Sequence, residues 1–357
     1  MLKTFADRSH YRFPAVTMIK EGLLTSLVKK KKALFFIALS LIVFLPAVPA
    51  LAATLKKAAF IPQWSPQAQF AGYYVALEKG FYKNQGIDLA IIPGGPSRSP
   101  LDYLGQGKAT FGSLWLGSAI VQRAQALKLV NIAQVIQRSA LMLVAKKSSG
   151  IKTIQDLEGK KVGLWSREFQ IQPRALFKKY DLKVQVIPQS FSVNLFLRGG
   201  VDLASAMWYN EYHTILNSGL NPEELTPIFF FEHGLNFPED GLYCLEDTLK
   251  KDPELTQSFV TASLEGWLYA FSHPEEALNI TLKVMKLANV PVNRVHQKWM
   301  LARMKDLMAD PEKMASFGKL NRTDYNRVAQ ELKAVGLIRT IPDFQSFYRG
   351  RRDDASK

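Results

Sequence analysis

Five short clusters carry side chains suited to holding a small molecule. They are Trp64-Ser65-Pro66, Pro93-Gly94-Gly95-Pro96-Ser97, Gly112-Ser113-Leu114-Trp115, Trp165-Ser166-Arg167-Glu168 and Trp208-Tyr209-Asn210-Glu211. Aromatic faces stack on planar ligands, hydroxyls and free helix N–H groups donate hydrogen bonds, and carboxylates accept them from amino groups. The candidate ligand-binding residues are Trp64, Ser113, Trp115, Ser166, Glu168, Trp208, Tyr209 and Glu211. Any one cluster could be turn chemistry or core packing, and Glu211 could simply favour a helix N-terminus through the helix dipole. Five at equivalent places in the strand–helix pattern point to a binding cleft.

Catalytic patterns are missing from the sequence. His10, His213, His233, His273 and His296 form no H-E-x-x-H pair, and neither a G-x-S-x-G elbow nor a phosphate loop occurs. One cysteine, Cys244, excludes a disulfide framework and any multi-cysteine metal site. No cofactor and no metal are expected.

The elements that must position these clusters follow from periodicity. Ala58–Ile61, Ile87–Ile92, Thr110–Gly112, Val130–Gln137 and Leu141–Ala145 read as strands, and Phe70, Tyr73, Tyr74, Leu77 and Phe81 share one helical face. Ser99-Pro100-Leu101-Asp102 and Thr153-Ile154-Gln155-Asp156 have capping-box spacing. Lys161–Trp165, Val184–Ile187 and Val201–Trp208 are the later strands, with helices near Gln172–Tyr180 and from Asn210. Pro238–Leu245 reads as a return to the first lobe, and from Pro253 onward the signal is helical. Alternating strands and helices imply parallel sheets covered on both faces. The expected organisation is an N-terminal extension and signal over 1–52, lobe 1 over 53–148, lobe 2 over 149–237, a return to lobe 1 over 238–340, and a tail over 341–357. A cleft between such lobes lies at the strand C-termini.

The chain has 357 residues, 47% of them hydrophobic and 22% charged, which suits about two globular domains. Eight of its 46 Lys/Arg and two of its 31 Asp/Glu fall within residues 1–52, leaving 38 against 29, or +9. The basic residues are spread out rather than clustered with aromatics, so nucleic acid is not an expected partner. Lys29–Lys32, the apolar run Ala33–Val48 and Ala50-Leu51-Ala52 follow the order of a secretory signal, with cleavage expected between Ala52 and Ala53. A retained anchor is the alternative, since Ala33–Ala53 just reaches the roughly 20 residues a span requires. Met18 is a second candidate start.

Trp64-Ser65-Pro66, Gln69-Phe70-Ala71-Gly72-Tyr73-Tyr74-Val75-Ala76, Lys79-Gly80-Phe81-Tyr82, Gly86-Ile87-Asp88-Leu89 and Asp156-Leu157-Glu158-Gly159-Lys160-Lys161-Val162-Gly163 resemble the substrate-binding proteins of ABC importers. The branch is the one that binds sulfonates, nitrate and thiamine pyrimidine precursors, and the likeness covers roughly Leu55 to Leu337. It implies an α/β fold, a two-lobed periplasmic-binding-protein type II clamshell with a helical C-terminal part. It also implies a periplasmic, monomeric protein whose partners are a small-molecule ligand and the ABC permease and ATPase subunits. Within the branch the chain is most similar to thiamine-pyrimidine binders and to the fungal thiamine pyrimidine synthase. That enzyme carries a cysteine-rich stretch where Pro238–Cys244 here has one cysteine. The similarity implies that Trp64, Trp208 or Tyr209 stacks on a ring and Glu211 holds its aminopyrimidine edge. The alternatives are a binder of sulfonate- or nitrate-type anions using Ser97, Ser99, Ser113 and helix N-termini as donors, a pyrimidine synthase-like enzyme, and a ligand sensor for a signalling partner.

Overall fold

The computed structural model describes residues 54–308 and 316–350. The segment read as a secretory signal, with its Ala52/Ala53 cleavage point, lies outside the described residues. Among the described residues no helix is long and apolar enough to cross a membrane.

Among the described residues, ten strands form two five-stranded sheets. The first contains β1 (Lys56–Ile61), β2 (Ile87–Ile91), β3 (Phe111–Trp115), β4 (Leu129–Gln134) and β10 (Asp240–Leu245), in the order β2-β1-β3-β10-β4. The second contains β5 (Leu141–Lys146), β6 (Lys161–Leu164), β7 (Gln185–Pro188), β8 (Leu203–Met207) and β9 (Leu225–Phe229), in the order β7-β6-β8-β5-β9. Helices cover them: α1 (Ala71–Glu78), α2 (Pro100–Gly105), α3 (Leu116–Ala124), α4 (Ile171–Lys179), α5 (Glu211–Asn217), α6 (Pro253–Ser272), α7 (Pro274–Leu287), α8 (Arg294–Met308) and α9 (Arg322–Ala334), with shorter turns between them.

The sheets are mixed, not purely parallel as the alternation predicts. β10 runs antiparallel to β3 and β4, and β5 antiparallel to β8 and β9. Each is the first strand after the chain changes lobe. A parallel neighbour must be re-entered from the same end through a crossover, whereas β5 and β10 come in from the cleft side and so run the other way.

A second correction concerns the first crossing. The chain leaves the first sheet after Gln134, and β5 already pairs in the second sheet, so the change of lobe falls in residues 135–140 rather than at 148/149. The turn at Lys147-Ser148-Ser149-Gly150, with Gly150 at φ 76°, lies inside the second lobe. An apolar strand buried on both faces looks the same in either sheet, so composition could not place it.

The two crossings, 135–140 and 234–239, are hydrogen-bonded to each other. Glu239 N donates to Ile136 O at 3.2 Å, Ser139 N to Asn236 Oδ1 at 3.0 Å and Asn236 Nδ2 to Gln137 O at 3.1 Å. The residues from 341 onward are no loose tail as far as they are described. Phe347 is fully buried against Tyr325, and Arg349 N donates to Asn131 O of β4 at 2.8 Å.

Local signals behave unevenly. Ser99 caps α2 as expected, accepting from Asp102 N at 3.3 Å. At Thr153 the hydroxyl donates to the Asp156 carboxylate instead of capping, and only a single turn, Gln155–Leu157, follows. Gly72 within the Ala71–Ala76 stretch has a packing role. A Cβ on it would overlap the Trp267 indole, and a Cβ on Gly266 would sit inside contact of the Gly72 carbonyl and 2.6 Å from Ala76 Cβ. These two glycines let α1 and α6 touch backbone to backbone over the first sheet, against a core where Phe111 and Phe259 stack 4.0 Å apart. Gly266→Ala should therefore force the helices apart and cost about 1–3 kcal/mol. Urea denaturation checks this; an unchanged midpoint would mean that the close approach is dispensable.

Candidate functional site

Chain segments leaving the C-terminal ends of strands in both sheets converge on one cavity of about 200 Å³. From the first lobe come Gln63, Trp64, Gln67 and Gln69 after β1, and Trp115 at the end of β3. From the second come Trp165 and Phe169 after β6, Phe191 after β7, and Met207, Tyr209, Asn210 and Glu211 where β8 passes into α5. Aromatic pairs close the space by taking one ring from each lobe. Trp64 meets Phe191 edge-on at 5.2 Å, and Trp115 meets Phe169 at 4.9 Å. Trp165 packs on Phe169 at 5.5 Å, its indole held by a hydrogen bond from Nε1 to Ser190 O at 3.0 Å.

Four of the eight expected residues line this cavity: Trp64, Trp115, Tyr209 and Glu211. Trp208 does not. Side chains alternate at the end of a strand, so Met207 and Tyr209 face the cavity while Trp208 turns away. Its ring packs on Phe229 at 5.5 Å and under the Arg303 guanidinium at 4.7 Å, and its carbonyl accepts from Trp299 Nε1 at 3.0 Å. Trp208 thus belongs to the contact between α8 and the second lobe. Ser113 is fully buried beneath Gln63, accepting from its backbone N–H at 3.0 Å. Ser166 is exposed and does not line the cavity. Glu168 lies on the turn Arg167–Gln170, its side chain outside the described residues.

The candidate list missed Gln63, Gln67, Gln69, Trp165, Phe169, Phe191, Met207 and Asn210, although Trp165 and Asn210 stand within the named clusters. Phe191 had a usable signal, since it is the aromatic residue just after β7, the strand end left out of the count. The glutamines had none.

The polar side of the cavity is acidic and deeply buried. Glu211 accepts from Met207 N at 3.0 Å and from Asn210 Nδ2 at 2.6 Å; burial nevertheless raises its pKa to about 7. Asn210 is fixed in turn by His296 of α8, whose Nε2 donates to Asn210 Oδ1 at 2.8 Å. His296 also meets His213 of α5, Nδ1 to Nδ1, at 2.9 Å. Beneath the cavity, Asp240 accepts from Gln69 Nε2 at 3.0 Å and closely from Gln63 Nε2, and burial raises it to about 7. Burial raises its neighbour Glu239 to about 8, with the Asp240 charge adding to the effect. Burial, and then the charges of Glu239, Asp240 and Glu211, push the Tyr209 hydroxyl well above its usual value. No Lys, Arg or His is among the described lining residues. Cys244 is buried in β10, its thiol pushed up to about 12 by burial, the signature of an inert thiol. Among the described residues no group of three or more His, Cys, Asp or Glu side chains could hold a metal ion.

Residues 67–277 match the model of the family described as NMT1/THI5 like, more than half of the chain. The chain belongs to this family. Among its relatives, the riboflavin-binding protein RibY of Chloroflexus aurantiacus is 23% identical over 305 residues, covering 83% of this chain and 85% of that one. The 4-amino-5-hydroxymethyl-2-methylpyrimidine phosphate synthase THI11 of Saccharomyces cerevisiae is 24% identical over 246 residues, covering 62% and 69%. In structure, the periplasmic aliphatic sulphonate binding protein SsuA of Escherichia coli superposes with a TM-score of 0.64 at 16% identity, covering 84% of this chain and 94% of that one. The fold of this NMT1/THI5-like chain is that of a periplasmic binding protein, and the match spans both sheets.

The three raised carboxyls set a pH dependence. Above about pH 6.5 the unfolded chain has released their protons, while the folded chain still holds protons on Glu211 and Asp240 to about 7 and on Glu239 to about 8. The folded state therefore binds more protons, and its stability falls as pH rises through this window. His213, His233 and His296, lowered mainly by burial, work in the opposite direction only below about pH 6.5. Ligand-free protein should melt at a lower temperature at about pH 8.5 than at about pH 6.5, and Glu239→Gln should flatten the slope. A melting temperature that rises across this range would contradict the assignment.

Proposed function

We propose that the protein is the periplasmic substrate-binding component of an ABC importer, and that it captures a small aromatic heterocycle through an amino-bearing edge. The observation that carries this reading is the cavity itself: Trp64, Trp115, Trp165, Phe169 and Phe191 around a space that ends on buried Glu211. An apolar cavity of about 150 Å³ holds benzene, so 200 Å³ suits one substituted ring. A longer substituent has room in an adjoining space of about 560 Å³ that shares Gln63, Trp64, Trp115 and Phe169. The relatives add support, since one binds riboflavin and another makes an aminopyrimidine phosphate.

Glu211 is suited to such an edge. Its carboxylate still has acceptor capacity beyond the bonds to Met207 and Asn210. A ligand that donates an N–H to it favours the ionised form over the protonated form that burial promotes. An anionic ligand would meet that carboxylate with no cation among the described lining residues to offset it. None of the expected anion donors Ser97, Ser99 and Ser113 is among the residues that line this cavity.

Titration calorimetry with 4-aminopyrimidines and with alkanesulfonates tests the reading. The aminopyrimidines should bind, and Glu211→Gln should weaken that binding about ten- to a hundredfold with little change in melting temperature. Binding of a sulfonate, with every heterocycle ignored, would replace this reading by the anionic one.

A further inference from the structure

Helix α8 packs with the first lobe and yet bonds to the second. On the first-lobe side, Gln297 Oε1 accepts from Ala68 N, beyond the end of β1, at 2.7 Å, and Arg294 pairs with Glu275 of α7 at 2.7 Å. On the other side, His296 Nε2 donates to Asn210 Oδ1 at 2.8 Å, and Trp299 Nε1 donates to the Trp208 carbonyl at 3.0 Å. The Trp299 ring packs against the second-lobe core that contains Met142, Ala206 and Tyr212. His213 of α5 meets both Trp299 and His296. Burial lowers His213 and His296, the latter to about 4, so near neutral pH both rings are uncharged and one supplies the hydrogen that the other accepts. Near the other end of α8, the Asp306 carbonyl accepts from Arg138 of the first crossing at 2.7 Å. The helix thus starts beside the acidic end of the cavity and runs to the crossings, about 15 Å away along its axis.

We infer that α8 is a latch between the lobes, shut by the bonds from His296 to Asn210 and from Trp299 to the Trp208 carbonyl, and released when the lobes part. The chain links the two sheets through 135–140 and 234–239, so a hinge motion turns about those segments. Asp306 stays with Arg138 at the hinge, while His296, at the far end of the helix, is carried away from Asn210. In the open cleft these donors and the Trp208 carbonyl return to water. In the closed cleft they bond to each other, and the Trp299 ring is packed on the second lobe. The latch therefore favours the conformer that has both walls of the cavity in place. Because Asn210 Nδ2 holds Glu211 at 2.6 Å, shutting it also braces the carboxylate at the end of the cavity.

Pulsed electron paramagnetic resonance tests this without any ligand, so the outcome stands whether or not an aminopyrimidine binds. Spin labels are attached at Ser97→Cys and Asn194→Cys, exposed positions on the segments that follow β2 and β7, one in each lobe. Cys244 is buried and stays unlabelled. At about pH 7.5, where both histidines are neutral, the labelled protein should show a short and a long interlobe distance. Trp299→Phe keeps a ring and removes only the N–H, and His296→Ala removes the bond to Asn210. Each should lower the ratio of short to long about threefold to tenfold, and together they should lower it more than about tenfold. Arg294→Ala breaks a contact that α8 makes within the first lobe and should leave the ratio within about twofold. An unchanged ratio in the double variant would overturn the inference, and so would an equal fall in Arg294→Ala. A single long distance in the protein with an intact α8 would overturn it as well.

Discussion

The dipeptide Glu239-Asp240 ties the molecule together where the chain re-enters the first lobe. The Asp240 carbonyl accepts from Val135 N at 3.1 Å and Ile136 N at 3.0 Å, while its side chain holds Gln63 and Gln69. The Glu239 side chain reaches the other crossing and accepts from Ala140 N at 2.5 Å. Both crossings, the start of β10 and the floor of the cavity therefore converge on two buried acids. Burying two adjacent carboxyls is expensive unless they are neutralised or hydrogen-bonded, and both answers are present here. Their pKa values rise, amide donors hold Asp240, and Glu239 Oε1 accepts from Ala140 N while its Oε2 has no hydrogen-bond partner.

The rest of the site follows from where strands end. In each sheet β1, β3, β6, β7 and β8 deliver their C-terminal residues to the same side, and the side chains that face the cavity alternate with those that pack behind it. Trp208 illustrates the second kind. Its ring, together with Trp299 and Arg303 of α8, joins the C-terminal helices to the second lobe, and Trp299 stacks on His213 at 4.8 Å. His213, His296 and Asn210 continue this contact to Glu211. The closing contact of the two lobes and the acidic end of the cavity are thus one hydrogen-bonded series. The aromatic pairs Trp64–Phe191 and Trp115–Phe169 bring rings from the two lobes together at the same cavity. A ligand held between them replaces ring–ring contacts with contacts of the same kind, so its selection falls to the polar wall.

Local sequence determined much of this protein. Apolar runs and glycines located nearly every strand, Ser99 announced the start of α2, and Trp64, Trp115, Tyr209 and Glu211 could be chosen because a residue type at a strand end is a local property. The family motifs carried the two-lobed fold. Tertiary structure decided what depends on partners distant in sequence. Which sheet β5 joins rests on pairing with β8 and β9, some sixty to ninety residues further along the chain. Whether Trp208 faces ligand or protein rests on a helix about ninety residues away. The orientation of the Gln63 and Gln69 amides lies furthest from local reading. An amide is donor and acceptor at once, and only the buried carboxyl of Asp240, more than 170 positions along the chain, settles which way these two turn.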